Sequence, residues 1–343
     1  LSPAVVGVLL SPASLACPAD SLGSRVNSLF ELANTPCHHR VAAPISNNSD
    51  ELEFYHPAEF PATAYPLEQN PIDRKKFELG RELFYSTMLS LDNTVSCASC
   101  HAQTHMFADH NIALSAGVGG QLGNRNSPPI FNMAWQPHFM WDGGVNHLEI
   151  FSLAPITNPV EMSETMENVV QKLSNSDYWK SLFKTAYGSE EVTDQKIFRS
   201  LTQFMLMIVS DNSLYDNVKR GKASFTTEQQ AGYDLFLQKC ASCHTEPLFT
   251  DYSFRNNGLD LVSADEGRAL ITQNDSDKGK FKVPTLRNVL LTYPYMHDGR
   301  FFTIDQVLEH YSSGIQQHEN LDAQLQNGIP LTTDEKKYIK RFL

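Results

Sequence analysis

The sequence predicts a mainly α fold of two tandem modules with long irregular loops, and three observations predict it. The pentapeptide Cys97-Ala98-Ser99-Cys100-His101 returns letter for letter as Cys240-Ala241-Ser242-Cys243-His244. The stretches before the two copies are also related, since Gly80-Arg81-Glu82-Leu83-Phe84 is echoed by Gly232-Tyr233-Asp234-Leu235-Phe236. Apolar residues recur at helical spacing over several segments, whereas alternating runs long enough for strands are scarce. The expected division is an extended N-terminal segment over 1–70 that wraps the surface, a first module over 71–222 and a second over 223–343.

The repeated pentapeptide carries its own chemistry. In Cys-x-x-Cys-His the two thiols add to the vinyl groups of one haem, and the next residue places an imidazole under the iron. A thioredoxin-like pair or half of a zinc site needs no histidine directly after the second cysteine. The modules are therefore expected to be cytochrome c-like haem domains. One c-type haem would be held by Cys97 and Cys100 with His101 as iron ligand, the other by Cys240 and Cys243 with His244.

A chain of 343 residues is long enough for two cores. With 27 basic against 39 acidic residues and a formal charge of -12, nucleic acid is excluded as a partner, and a basic redox protein would dock more easily. No apolar run reaches the length of a membrane span. Of six cysteines, the haem motifs leave Cys17 and Cys37 over. They suit a disulfide formed outside the cytoplasm, and the rival is a metal site on Cys37-His38-His39. Leu1 to Ala16 is apolar and ends Ser14-Leu15-Ala16, like the tail of a secretory signal without its basic front, with cleavage left open. Haem attachment and the spare cysteines point to the periplasm or exported surface of a bacterium.

In chain order, residues 17–70 are rich in proline, serine and asparagine and read as an extended wrap. A helix follows from Asp73 to about Thr87, with Phe77, Gly80, Leu83 and Phe84 on one side. Helical patterns at about 163–174, 177–186 and 194–209 should supply most of the first core. Glycines, prolines and the Asn256-Asn257-Gly258 turn dominate until Thr303. There Thr303 and Gln306 stand at capping-box spacing, and Gly314 ends the helix. Ile304, Val307, Leu308 and Tyr311 fall at i, i+3, i+4 and i+7, which puts Tyr311 on the buried face and His310 about 100° away.

Further segments carry a family resemblance: Trp141-Asp142-Gly143, Asn158-Pro159-Val160-Glu161-Met162, and Lys282-Val283-Pro284-Thr285-Leu286-Arg287-Asn288 leading to Leu291-Thr292-Tyr293-Pro294-Tyr295-Met296-His297-Asp298-Gly299. From Pro71 to Leu343 the chain resembles the bacterial di-haem cytochrome c peroxidases, including MauG. The resemblance implies that the first haem meets hydrogen peroxide. Val118 stands where many such peroxidases carry a distal histidine, so this iron is expected to be open. His105, His110 and His138 are the other histidines considered for it. The resemblance also implies a distal carboxylate at Glu161 that moves the peroxide proton, where the local alternative is an acid at the start of a helix near Ser163.

At the second haem the resemblance implies Tyr311 as sixth ligand, a tyrosine as in MauG rather than a methionine, with Met296 and His310 as runners-up. A phenolate is a hard donor that favours oxidised iron, whereas a thioether favours ferrous iron. Trp141 matches the family tryptophan that carries charge between the haems. Asn126, Thr292 and Pro294 match positions whose oxygens bind a calcium ion there. The expected function is thus a di-haem peroxidase, MauG-like in drawing electrons from tryptophan or tyrosine side chains of a partner protein. The alternatives are a conventional peroxidase fed by a small redox protein, and a non-catalytic electron carrier. The chain is expected to be a monomer or homodimer.

Overall fold

The main helices begin where a side chain takes up an orphan backbone N–H. Asp73 accepts from Lys76, Thr165 from Asn168, Ser176 from Trp179 and Thr193 from Lys196. The helices so capped span Arg74–Tyr85, Met166–Ser174, Asp177–Tyr187 and Asp194–Leu206. Two boundaries differ from the sequence pattern for local reasons. Ser163 has φ +55°, which turns the chain before the second helix and moves its start to Met166. Ile208–Val209 leaves the fourth helix to pair antiparallel with Arg40–Val41. These details come from a computed structural model, which describes residues 52–343 and the short strand Arg40–Val41. Cys17, Cys37 to His39 and most of the 1–70 extension lie outside the described residues.

The glycine echo has a packing cause. A Cβ on Gly80 would lie 1.8 Å from the Ser200 carbonyl oxygen, so the Arg74–Tyr85 and Asp194–Leu206 helices meet backbone to backbone. A Cβ on Gly232 would lie 2.0 Å from the Tyr338 carbonyl oxygen, and the Thr227–Lys239 and Thr333–Phe342 helices meet in the same way. Around the first pair lies a large apolar cluster that includes Phe77, Leu83, Phe84, Phe107 and Phe204. Beside the second pair lies a smaller one of Tyr215, Tyr233, Phe236 and Phe249, with Phe342 packed on it. Both clusters belong to one compact unit, His38–Leu343.

The rest is mostly irregular, as expected of a mainly α chain. Among the described residues, strand pairing beyond Arg40–Val41 is confined to Phe254–Arg255 with Phe281–Lys282, with isolated bridges elsewhere. Thr303 and Gln306 do form a capping box, opening a helix over Ile304–Glu309. This helix then widens into a π turn over His310–Gly314, which turns His310 into the interior and leaves Tyr311 only partly buried. Ile304, Val307 and Tyr311 are partly buried and Leu308 is buried, while Asp305, Gln306 and Glu309 are exposed, so the face expected to be buried is the less exposed one. Among the described residues no helix is long and apolar enough to cross a membrane.

A buried ion pair links two segments of the second half. Arg287 Nη1 and Nη2 each lie 2.8 Å from an Asp216 carboxylate oxygen, and Nε donates to the Pro247 carbonyl at 2.9 Å. Burial raises the Asp216 pKa, but hydrogen bonds from Arg287 and Ser213 outweigh it and hold the carboxyl below its ordinary value. Its stabilisation is therefore present above the ordinary carboxylate range and is lost as pH falls through the lowered value. Asp216→Asn strands a buried guanidinium and should cost about 3–5 kcal/mol, read as a lower urea midpoint.

Candidate active site

Each of the two pentapeptides presents its histidine in the same way. His101 Nδ1 lies 3.0 Å from the Phe107 carbonyl oxygen and is also held by the Pro128 carbonyl. His244 Nδ1 lies 3.2 Å from the Phe249 carbonyl and 3.1 Å from that of Pro284. A carbonyl only accepts, so Nδ1 carries the proton in both rings and Nε2 keeps its lone pair for a metal. Burial lowers both imidazole pKa values, although the carbonyls act against it, which favours the neutral form that binds iron. Burial also pushes the Cys97 thiol up to about 12 and those of Cys100 and Cys240 to about 11. Such thiols are not reactive thiolates of the thioredoxin kind, and the residues fit covalent haem.

A cavity of about 340 Å³ lies over the first motif, lined by Cys97, Cys100, His101, Trp141, Glu161 and Met162 among others. Glu161 lines this space and is open to solvent. Burial raises its pKa, partly offset by Asn158, whose Nδ2 donates to Oε1 at 2.6 Å. The helix-end reading of Glu161 fails, because the next helix starts at Met166 with Thr165 as its cap. Val118, expected to stand in place of a distal histidine, donates its N–H to the Glu161 carbonyl at 2.7 Å, which fixes its loop. Gly117 seats that loop, since a Cβ there would lie 2.2 Å from the Val160 carbonyl oxygen. His105 and His110 pair with each other at 5.0 Å, His138 stands beside Phe254, and none of the three lines the cavity.

At the second motif, Tyr311 lies within electrostatic reach of Cys240 and Cys243. Burial raises its pKa, while Asn257, with Nδ2 at 3.5 Å from the phenol oxygen, lowers it. The same Asn257 amide lies 3.4 Å from Met296 Sδ, so Met296 stands at this site too. His310 does not compete with them, because its Nε2 is engaged by the Asn257 carbonyl at 2.9 Å. Asn257 was missed as a site residue; its Asn-Asn-Gly setting reads as a turn and gives no sign of what the side chain faces.

Trp141 joins the two sites. Its indole N–H donates to the Asn126 carbonyl at 2.8 Å, two residues before the Pro128 that holds His101. Its own carbonyl accepts from the Lys282 N–H at 2.7 Å, two residues before the Pro284 that holds His244. Lys282 is a further residue missed in the sequence, enclosed by Gln136 Oε1 and the His138 carbonyl, each 2.8 Å from Nζ, and burial pushes its pKa down to about 7. Of the positions matched to calcium, Asn126 is tied to the segment of Thr292 and Pro294 by its N–H to the His297 carbonyl at 2.7 Å. Among the described residues no cluster of three His, Cys, Asp or Glu is placed to hold a metal ion, so calcium there would rest on neutral oxygens.

Two cysteine pairs with metal-ready histidines, and a carboxylate over one of them, define a c-type di-haem protein of the peroxidase class. Comparison with known proteins places it further. The family described as di-haem cytochrome c peroxidase matches residues 74–224. The methylamine utilization protein MauG of Methylorubrum extorquens is 34% identical over 280 residues, covering 80% of this chain and 78% of that protein. Cytochrome c551 peroxidase of Nitrosomonas europaea is 35% identical over 238 residues, covering 68% and 71%. The crystal structure of a MauG-like protein associated with microbial copper homeostasis superposes with a TM-score of 0.77 at 29% identity, covering 85% of this chain and 94% of that one. The chain belongs to the MauG and di-haem cytochrome c peroxidase family, and it is a haem peroxidase acting on hydrogen peroxide.

Proposed function

We propose that peroxide is reduced over His101 with electrons drawn through Trp141 from the His244 side, and that a small redox protein supplies them. The observation that carries this is the shared placement of Glu161 and Trp141 on the cavity above Cys97, Cys100 and His101. Haem supplies the redox chemistry when bound. Glu161, steadied by Asn158, takes the proton from one peroxide oxygen and returns it to the other. Since burial raises its pKa, activity should fall as pH drops through that raised value. Trp141 gives its N–H to an amide carbonyl, which is no base, so charge crosses the indole without loss of its proton. Tyr311 would be the residue to hold the iron of a haem on Cys240 and Cys243, with Asn257 donating to its oxygen.

The named peroxidases among the relatives favour a protein electron donor over the MauG-like expectation. Tyr311 and Val118 favour that second reading, in which side chains of a partner protein give up the electrons. Reduced small cytochromes and copper proteins, mixed with the holoenzyme and peroxide, separate the two. Rapid oxidation of such a donor supports the first. Slow oxidation, together with oxidised tryptophan in an exported partner, overturns it in favour of the second. An exported location, calcium at Asn126, Thr292 and Pro294, and the division into haem domains over 71–222 and 223–343 belong to the same proposal.

A further inference from the structure

The two haem motifs are followed by matching carboxylates that the fold treats differently. Asp109 comes eight residues after His101, and Asp251 seven after His244. Asp251 is neutralised, with Arg255 Nη2 at 2.8 Å and the same guanidinium reaching Asp322 at 2.8 Å. Asp109 has no such cation. It is 5% exposed, and its carboxylate accepts from the His110 N–H at 2.5 Å and from the Ser115 hydroxyl. Among the described residues its one ion-pair contact is His110 Nδ1 at 3.2 Å, on a ring more than half exposed.

We infer that Asp109 is an uncompensated buried charge that biases the His101 haem toward its oxidised states, while Arg255 removes the equivalent bias at the His244 haem. The inference rests on haem attachment alone and not on the choice of electron donor. Asp109 acts through the field and touches no reacting atom, so it is a positioning residue in the electrostatic sense. Asp109 stands two residues after Phe107, whose carbonyl lies 3.0 Å from His101 Nδ1. Asp251 stands likewise two residues after Phe249, whose carbonyl lies 3.2 Å from His244 Nδ1, but there Arg255 Nη2 is 2.8 Å from the carboxylate. A unit charge acting over roughly 10 Å through an effective dielectric of about 20 changes an equilibrium by about tenfold.

The test is spectroelectrochemistry of the holoenzyme at pH 8. Poised at the wild-type midpoint of the first haem, Asp109→Asn should raise its ferrous-to-ferric ratio by about tenfold, equal to about 59 mV for one electron. Asn keeps an acceptor for Ser115, so the loop stays tethered. Ser115→Ala removes the tether and keeps the charge, and should move the ratio by less than threefold. An unchanged ratio in Asp109→Asn overturns the inference, and so does an equal change in Ser115→Ala, which would make loop geometry the cause. Arg255→Gln gives the reciprocal reading, since it exposes Asp251 and should lower the ferrous-to-ferric ratio of the second haem. If Asp109→Asn fails to take up haem, an unchanged second haem in Arg255→Gln overturns the inference on its own.

Discussion

Glu161→Gln is expected to slow peroxide turnover by about 10² to 10⁴ while leaving haem content and resting spectra as in the wild type. Glutamine has nearly the same shape, and its carbonyl still accepts from Asn158 Nδ2, so the wall of the cavity is preserved. What it lacks is a site that binds and returns a proton. Hydrogen peroxide needs such a site, because heterolytic O–O cleavage sends both bonding electrons off with the departing oxygen, which leaves as water only if it is protonated as it goes. The variant should also lose the acid limb of the pH profile, since that limb is assigned to the carboxyl whose pKa burial raises. Stopped-flow rates across pH check both points. Wild-type rates in the variant would leave Glu161 without a catalytic role, and the helix-end explanation is not there to replace it.

Tyr311→Met is expected to raise the potential of the second haem by roughly a quarter to a half of the roughly 0.8 V that axial ligands span. The phenol oxygen carries a hydrogen bond from Asn257, which suits an anionic donor, and a phenolate holds iron in its oxidised form. A thioether reverses that preference. The first site should still bind peroxide, because Glu161 and His101 line the first cavity and Tyr311 does not. A potential titration of each haem reads the change. If neither the potential nor the low-spin signal moves, Tyr311 is packing and Met296, which shares Asn257 with it, becomes the ligand to substitute.

Much of the fold was legible because its signals are local. The paired pentapeptides, the glycine echo and the Thr303 box each lie within a few residues, and each has its structural counterpart. The C-terminal helix was overlooked although Thr332 and Glu335 form a capping box of the same kind. It shows its purpose only where Gly232 meets Tyr338, a contact between residues far apart in sequence. The site divides along the same line. Glu161, Trp141 and Tyr311 could be placed by resemblance, but the two proline carbonyls that hold the histidines come from distant segments. Lys282 and Asp109 were unreadable for another reason. A charged residue is ordinarily solvated, and only the folded chain shows that these two are enclosed. The start of the helix near Ser163 was misplaced because a serine at φ +55° leaves no mark in the sequence.

The open first site is tested most directly by electron paramagnetic resonance of the resting diferric holoenzyme at neutral pH. Among the described residues no histidine other than His101 lines the first cavity, and Tyr311 stands by the second motif. One high-spin haem and one low-spin haem in equal amounts is the expected result. Two low-spin signals would contradict it, showing the first iron closed by a protein ligand and the chain at rest in the form of an electron carrier.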